Sequence, residues 1–241
     1  MWGNMDYLQF RSNVYSQNGE DGILEEVLKR LMLSDHENWC VEFGAWDGKH
    51  MSNTFRLVSD LGWNGVYIEG NINFYEELKT TCQSFPNIIP ILRMVSHEEN
   101  SENSLDRILN ETNLPKDFEV LSIDIDTYDL AIWANLLRYM PKIVVIEVNS
   151  HIHPGILEWH HTHGRGNSFS STLGVGIKKG YTLICHTGNM IFVRNDLVSK
   201  LSLDNIQINY PETLFDFSYL TNTPKVKYSH ILRDFTKHRL S

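Results

Sequence analysis

Between residues 15 and 195 the apolar positions switch repeatedly between helical spacing and short unbroken runs. NGEDGILEEVLKRLM puts Ile23, Val27, Leu28 and Leu31 on one helical face, with Asn18 as N-cap and Asp21 at N3. WCVEFGA (39–45) and GVYIEG (65–70) are short apolar runs ending in glycine, as buried strands do. NIIPILRMVS is a third strand, which Pro90 marks as edge-like. VLSIDID (120–126) and KIVVIEV (142–148) are the fourth and fifth, and helices are expected at 51–61, 72–83, around 103–110, at 129–139 and at 170–180. YTLICHTG and NMIFVR then meet at Gly188-Asn189 and read as a hairpin. Strands alternating with helices of this length predict an α/β fold with a mostly parallel sheet.

The pattern leaves two stretches unassigned. Residues 149–169 have no periodicity, and a loop that long in a compact domain usually carries function. From about 195 short helical pieces mix with a Pro-containing stretch, which could be a lid, a dimer arm or an appendage. The expected organisation is one domain over 1–195 and a C-terminal extension, 196–241, packed on it.

Ligands of open α/β sheets sit at the carboxyl ends of the strands. The first strand ends in VEFGAWDGKH, where Gly44 and Gly48 permit a tight turn and close approach to a ligand. The second ends in Glu69, a natural acceptor for two ribose hydroxyls. The spacing is ExGxxxG rather than the dinucleotide fingerprint GxGxxG. The extra acids Glu42 and Asp47 suit a cationic or zwitterionic ligand such as S-adenosylmethionine (SAM) better than a pyrophosphate. The fourth strand ends in LSIDID, whose Asp124 and Asp126 would point to one side of a strand.

Composition narrows the partners. The 241 residues are 41% hydrophobic and 21% charged with a formal net charge of −9, which argues against a grip on nucleic-acid backbones. The longest basic cluster, KVKYSHILRDFTKHR, is thin. No run approaches the length of a membrane span, and MWGNMDYLQF shows no signal-peptide pattern, so a cytoplasmic protein is expected. Cys40, Cys82 and Cys185 are widely spaced and read as reduced thiols.

The segments YSQNGEDGILEEVL, CVEFGAWDGKHMSNT, GWNGVYIEG, LPKDFEVLSIDIDTYDLAIW, PKIVVIEVN and KKGYTLICHTGNMIFVR together resemble the FkbM-like branch of class I SAM-dependent methyltransferases. The resemblance covers about residues 15–195. It implies a Rossmann-like fold with a seven-stranded sheet whose last strand is antiparallel, and helices on both faces. It implies O-methyl transfer, with a sugar or glycan precursor of bacterial capsule or polysaccharide as acceptor. It further implies that Glu42, Gly44, Gly48, Ser52 and Glu69 line the cofactor pocket, that Gln17 and Asp21 approach it, and that Ser96 lies on the adenine side.

In such a fold the fourth and fifth strands are adjacent, so Asp124, Asp126, Glu147 and Asn149 would face one mouth. Asp124 is then expected beside the methionyl group and the transferred methyl, with Asp126 and Asn149 toward the acceptor. Asp124, Glu147 and Asn149 are also oxygen ligands suited to Mg²⁺ or Mn²⁺. The loop 151–163 holds five of the eleven histidines, His151, His153, His160, His161 and His163. His151 and His153 are candidate general bases, and Arg165 could meet an anionic acceptor. Other readings stay open: methyl transfer to a phosphoramidate or other small acceptor, an NAD-dependent oxidoreductase, a non-catalytic subunit of the same fold, and a homodimer.

Overall fold

A computed structural model describes residues 5–32, 37–159 and 166–220. Seven strands, β1 (Trp39–Phe43), β2 (Asn64–Glu69), β3 (Ile88–Leu92), β4 (Val120–Ile123), β5 (Ile143–Glu147), β6 (Tyr181–His186) and β7 (Asn189–Arg194), form one sheet. The order is β3-β2-β1-β4-β5-β7-β6, with β1 to β5 parallel and β7 antiparallel to both neighbours. Pro90 lies on the edge strand β3, where a missing N–H costs least.

Helices cover both faces, which is why the strands read as unbroken apolar runs. Phe43, Ile68, Ile123, Ile146 and Phe192 pack on one face with α4 (Leu105–Asn110), α5 (Asp129–Asn135) and α6 (Phe169–Lys178). Cys40, Tyr67, Val145 and Ile191 pack on the other with α1 (Glu20–Leu31), α2 (Phe55–Ser59) and α3 (Ile72–Cys82). Beyond β7, α7 (Asn205–Asn209) is closed by an Asp204–Gln207 capping box and packs near the β6 edge. Gln207 Nε2 also donates to the Met5 carbonyl at 3.0 Å, joining the tail to the N-terminal segment.

Three local expectations are corrected. The N-cap of α1 is Gly19, with φ at +98°, not Asn18, whose N–H instead donates to Glu20 at 2.8 Å. The helix expected over 51–61 is only α2, because Ser52 Oγ and Thr54 Oγ1 are used to hold the buried Glu42 carboxylate. The fourth strand stops at Ile123; Ile125 N donates to Asp129 Oδ1 at 2.7 Å and Asp126 is left-handed, with φ at +63°. Asp124 and Asp126 therefore converge through a turn rather than through strand alternation.

Among the described residues no helix is long and apolar enough to cross a membrane.

Candidate functional site

Two cavities open at the carboxyl ends of the central strands. The larger, about 550 Å³, is bounded by Glu42, Gly44 and Trp46 after β1, by Glu69, Gly70 and Phe74 after β2, and by Arg93, Met94 and Val95 after β3. The smaller, about 300 Å³, is bounded by Asn18, Asn149, Ser150, His151, Asn167, Asn189 and Tyr219. Gln17, Asp124, Asp126 and Glu147 border both, so these four side chains form the shared wall.

The β1 turn needs its glycine. A Cβ on Gly44 would lie 1.7 Å from the Asp124 carbonyl oxygen, and φ there is +79°. Glycine thus lets the end of β1 press against the end of β4. Behind it, Glu42 is buried and accepts from Ser52 Oγ at 2.6 Å and Asn53 N at 3.2 Å. Burial pushes its carboxyl above the usual range, and the Ser52 and Thr54 hydroxyls pull it back. Glu69 accepts from Trp46 N at 2.8 Å and Asn71 N at 2.7 Å, which fixes its carboxylate on the cavity wall. Trp46 and Met51 are non-glycine residues with φ of +48° and +57°, and with Asp126 they place three left-handed side chains on this cleft.

The shared wall concentrates negative charge. One carboxylate oxygen from each of Asp124, Asp126 and Glu147 lies within 4.8 Å of the others. Burial first, and then Glu147, Asp129 and Asp126, push the Asp124 carboxyl well above its ordinary value. Burial first, and then Asp126 and Asp129, do the same to Glu147, offset by a hydrogen bond with Asp124. Such a pair holds a proton or another cation at neutral pH, since two desolvated like charges cannot both ionise freely. Asp129, raised by burial to about 6, accepts from Ile125 N and from Thr127 N at 2.9 Å and so organises the turn that carries Asp126.

No protein-family model matches the chain, and no curated protein sequence does. Solved structures do. The citrinin polyketide synthase CMeT domain aligns at a TM-score of 0.50 with 11% identity over 73% of this chain and 51% of that one, so the chain spans about half of that domain's length. A SAM dependent methyltransferase from Aquifex aeolicus aligns at 0.43, with 13% identity over 70% of this chain and 85% of that one. The N-terminal domain of EvdMO1, solved in the presence of SAH and D-fucose, aligns at 0.43, with 12% identity over 78% and 91%. The fold is the Rossmann-like fold of the class I methyltransferases. The deciding features are the strand order and the antiparallel β7 between β5 and β6.

In this class I fold the structure brings Gln17, Glu42, Gly44, Glu69 and Asp124 onto the larger cavity. Other expected cofactor contacts lie elsewhere. Asp21 points away from the cleft and accepts from the N–H groups of Val14, Tyr15 and Ser16, holding the N-terminal loop. Asp47 caps the next turn by accepting from Lys49 N and His50 N. Gly48 faces Leu78 of α3, so its role is packing. Ser52 sits behind Glu42, and Ser96 Oγ accepts from Glu98 N, leaving Met94 and Val95 on the wall. Of the two histidines proposed as base, His151 borders the smaller cavity and His153 borders neither. Asn149 lies on the smaller cavity, with Oδ1 accepting from His151 N, while the carboxylate that completes the acidic trio is Asp126. Arg165, His160, His161 and His163 lie outside the described residues.

Several wall residues had no sequence signal. Asn167, Asn189 and Tyr219 come from a loop, the hairpin and the tail. The hairpin is tied to α1 by the fully buried Glu20, which accepts from Thr187 Oγ1 at 2.6 Å and Asn189 Nδ2 at 2.9 Å. His186 accepts from Asp216 N at Nδ1 and meets Ser150 Oγ at Nε2, each at 2.9 Å. Burial holds its imidazole down to about 4, so it is neutral and its Nε2–H donates to Ser150.

Proposed function

We propose that the chain is a SAM-dependent O-methyltransferase of the FkbM-like kind, acting on a sugar or glycan precursor in polysaccharide or capsule synthesis in the cytoplasm. The observation that carries this reading is the pair of adjoining cavities with an acidic shared wall. The larger would hold SAM: Glu69 takes the ribose hydroxyls, Gly70, Phe74 and Met94 flank the base, and Gln17 and Glu42 lie toward the amino-acid end. When bound, SAM supplies an electrophilic methyl on a positively charged sulfur. The smaller cavity would hold the acceptor. Its described lining is amides, acids, hydroxyls and the imidazole of His151, with Val148 as the one aliphatic side chain and no Lys or Arg, which favours a neutral polyhydroxyl over a phosphate-derived acceptor. We assign the described part of the tail, residues 196–220, to an extension of this one domain that brings Tyr219 to the acceptor side; residues 221–241 lie outside the described residues.

Asp124 and Glu147, both on the shared wall, would take the acceptor's proton. With SAM bound, its carbon–sulfur bond would break as the methyl passes to the acceptor oxygen, and the Asp124 carboxylate would receive the hydroxyl proton. Alignment across the shared wall supplies the rest of the rate. The raised carboxyl values put this base closer to working pH than an ordinary aspartate.

A second reading, a Mg²⁺ or Mn²⁺ ion on the same wall, is favoured by the close approach of three carboxylate oxygens, which are hard donors. Such an ion would polarise acceptor hydroxyls. Calorimetry with SAM and S-adenosylhomocysteine (SAH) tests the main reading: micromolar binding is expected, and no binding of either overturns it. Methyl transfer that is unchanged in excess EDTA and in added Mg²⁺ assigns the wall to proton transfer, and loss on chelation assigns it to the ion.

A further inference from the structure

We propose that Tyr219, carried on the C-terminal tail, contacts the acceptor and selects ring-shaped sugars; this rests on the smaller cavity being the acceptor site. Tyr219 borders that cavity and not the larger one. Apart from the imidazole of His151, it is the one aromatic ring on the described wall, which is otherwise made of amides, carboxylates, hydroxyls and glycines with a single valine.

The ring is held in place from several directions. Its hydroxyl donates to the Thr187 carbonyl, and Thr187 in turn donates from Oγ1 to Glu20. Its ring is tilted against His186, with centroids 5.6 Å apart. His186 stacks on Phe215 at 4.8 Å and accepts from Asp216 N, and Asp216 pairs with Arg11 at 3.1 Å. Both the N-terminal segment and the β6–β7 hairpin therefore anchor the tail that delivers Tyr219.

A pyranoside has a rim of hydroxyls and a face of C–H groups. The amides and acids of the cavity suit the rim, and an immobilised aromatic ring suits the face. An open-chain polyol offers the same hydroxyls without a rigid face. Tyr219 thus separates ring-shaped from linear acceptors of equal polarity.

The test uses the full chain saturated with SAH, with methyl α-D-glucopyranoside, methyl β-D-galactopyranoside and sorbitol as probes in saturation-transfer NMR. At least one pyranoside is expected to receive saturation on its ring C–H groups, and sorbitol little. Tyr219→Ala should weaken pyranoside affinity about three- to tenfold, with Tyr219→Trp and Tyr219→Phe, which keep a ring, closer to the parent. Calorimetric SAH affinity should stay within about twofold in all three, because Tyr219 does not border the larger cavity. Equal transfer to sorbitol, no transfer to either pyranoside, or unchanged pyranoside affinity in the Ala variant overturns the proposal while leaving the methyltransferase reading intact. Failure of the parent chain to bind SAH removes both.

Discussion

At the scale of single residues, the cleft is a set of carboxylates given different work by their surroundings. Glu69 is pinned by two backbone N–H groups and keeps acceptor capacity toward the larger cavity. Removing it in Glu69→Ala should weaken SAM binding about tenfold or more, since hydrogen bonds to a charged group are among the stronger ones; calorimetry reads this directly. Asp124 instead sits among other acids with its carboxyl pushed up by burial. A base must be ionised to act, so kcat/KM should climb as pH rises through this raised value. Asp124→Asn should lower kcat by about a hundredfold or more and flatten that limb, the size expected for losing a positioned base. A parent-like pH profile in this variant would count against Asp124 as the proton acceptor.

At the scale of elements, turns and caps matter more than regular structure. The strand and helix order was legible from the apolar runs because both sheet faces are covered, so each strand announces itself without alternation. The hairpin was legible from Gly188-Asn189. That Asp124 and Asp126 share one mouth was legible too; the left-handed turn that brings them there was not, because strand parity predicts the same outcome. Asp21 and Ser52 looked like pocket residues, yet Asp21 spends its Oδ2 on nearby backbone N–H groups and Ser52 its Oγ on Glu42 and the start of α2. Tyr219 could not be read at all, since no periodicity marks the tail and its partners lie across the fold. The contact between the ends of β1 and β4 gives the sharpest element-level prediction. Gly44→Ala must move the Asp124 carbonyl or the turn itself, so it should cost about 2 kcal/mol or more, read as a lower urea midpoint. SAH affinity should fall with it.

At the scale of the whole molecule, buried acids with raised values link folding to pH. Asp124, Glu147 and Asp129 bind protons more tightly folded than unfolded. The stability they contribute is complete below the ordinary carboxylate value near 4. It is lost as pH rises through the folded values, about 6 for Asp129 and higher-lying for the coupled pair. Tm should therefore drop from mildly acidic toward alkaline buffer, and Asp124→Asn should shrink that drop. The same acidic wall also bears on turnover. Under the proposed reaction the donor enters carrying a positive sulfur and leaves as a neutral thioether, within a chain of net charge −9. The wall attracts the first and is indifferent to the second, a built-in bias against product inhibition. Raising ionic strength should slow SAM association in stopped-flow measurements and leave SAH association nearly unchanged.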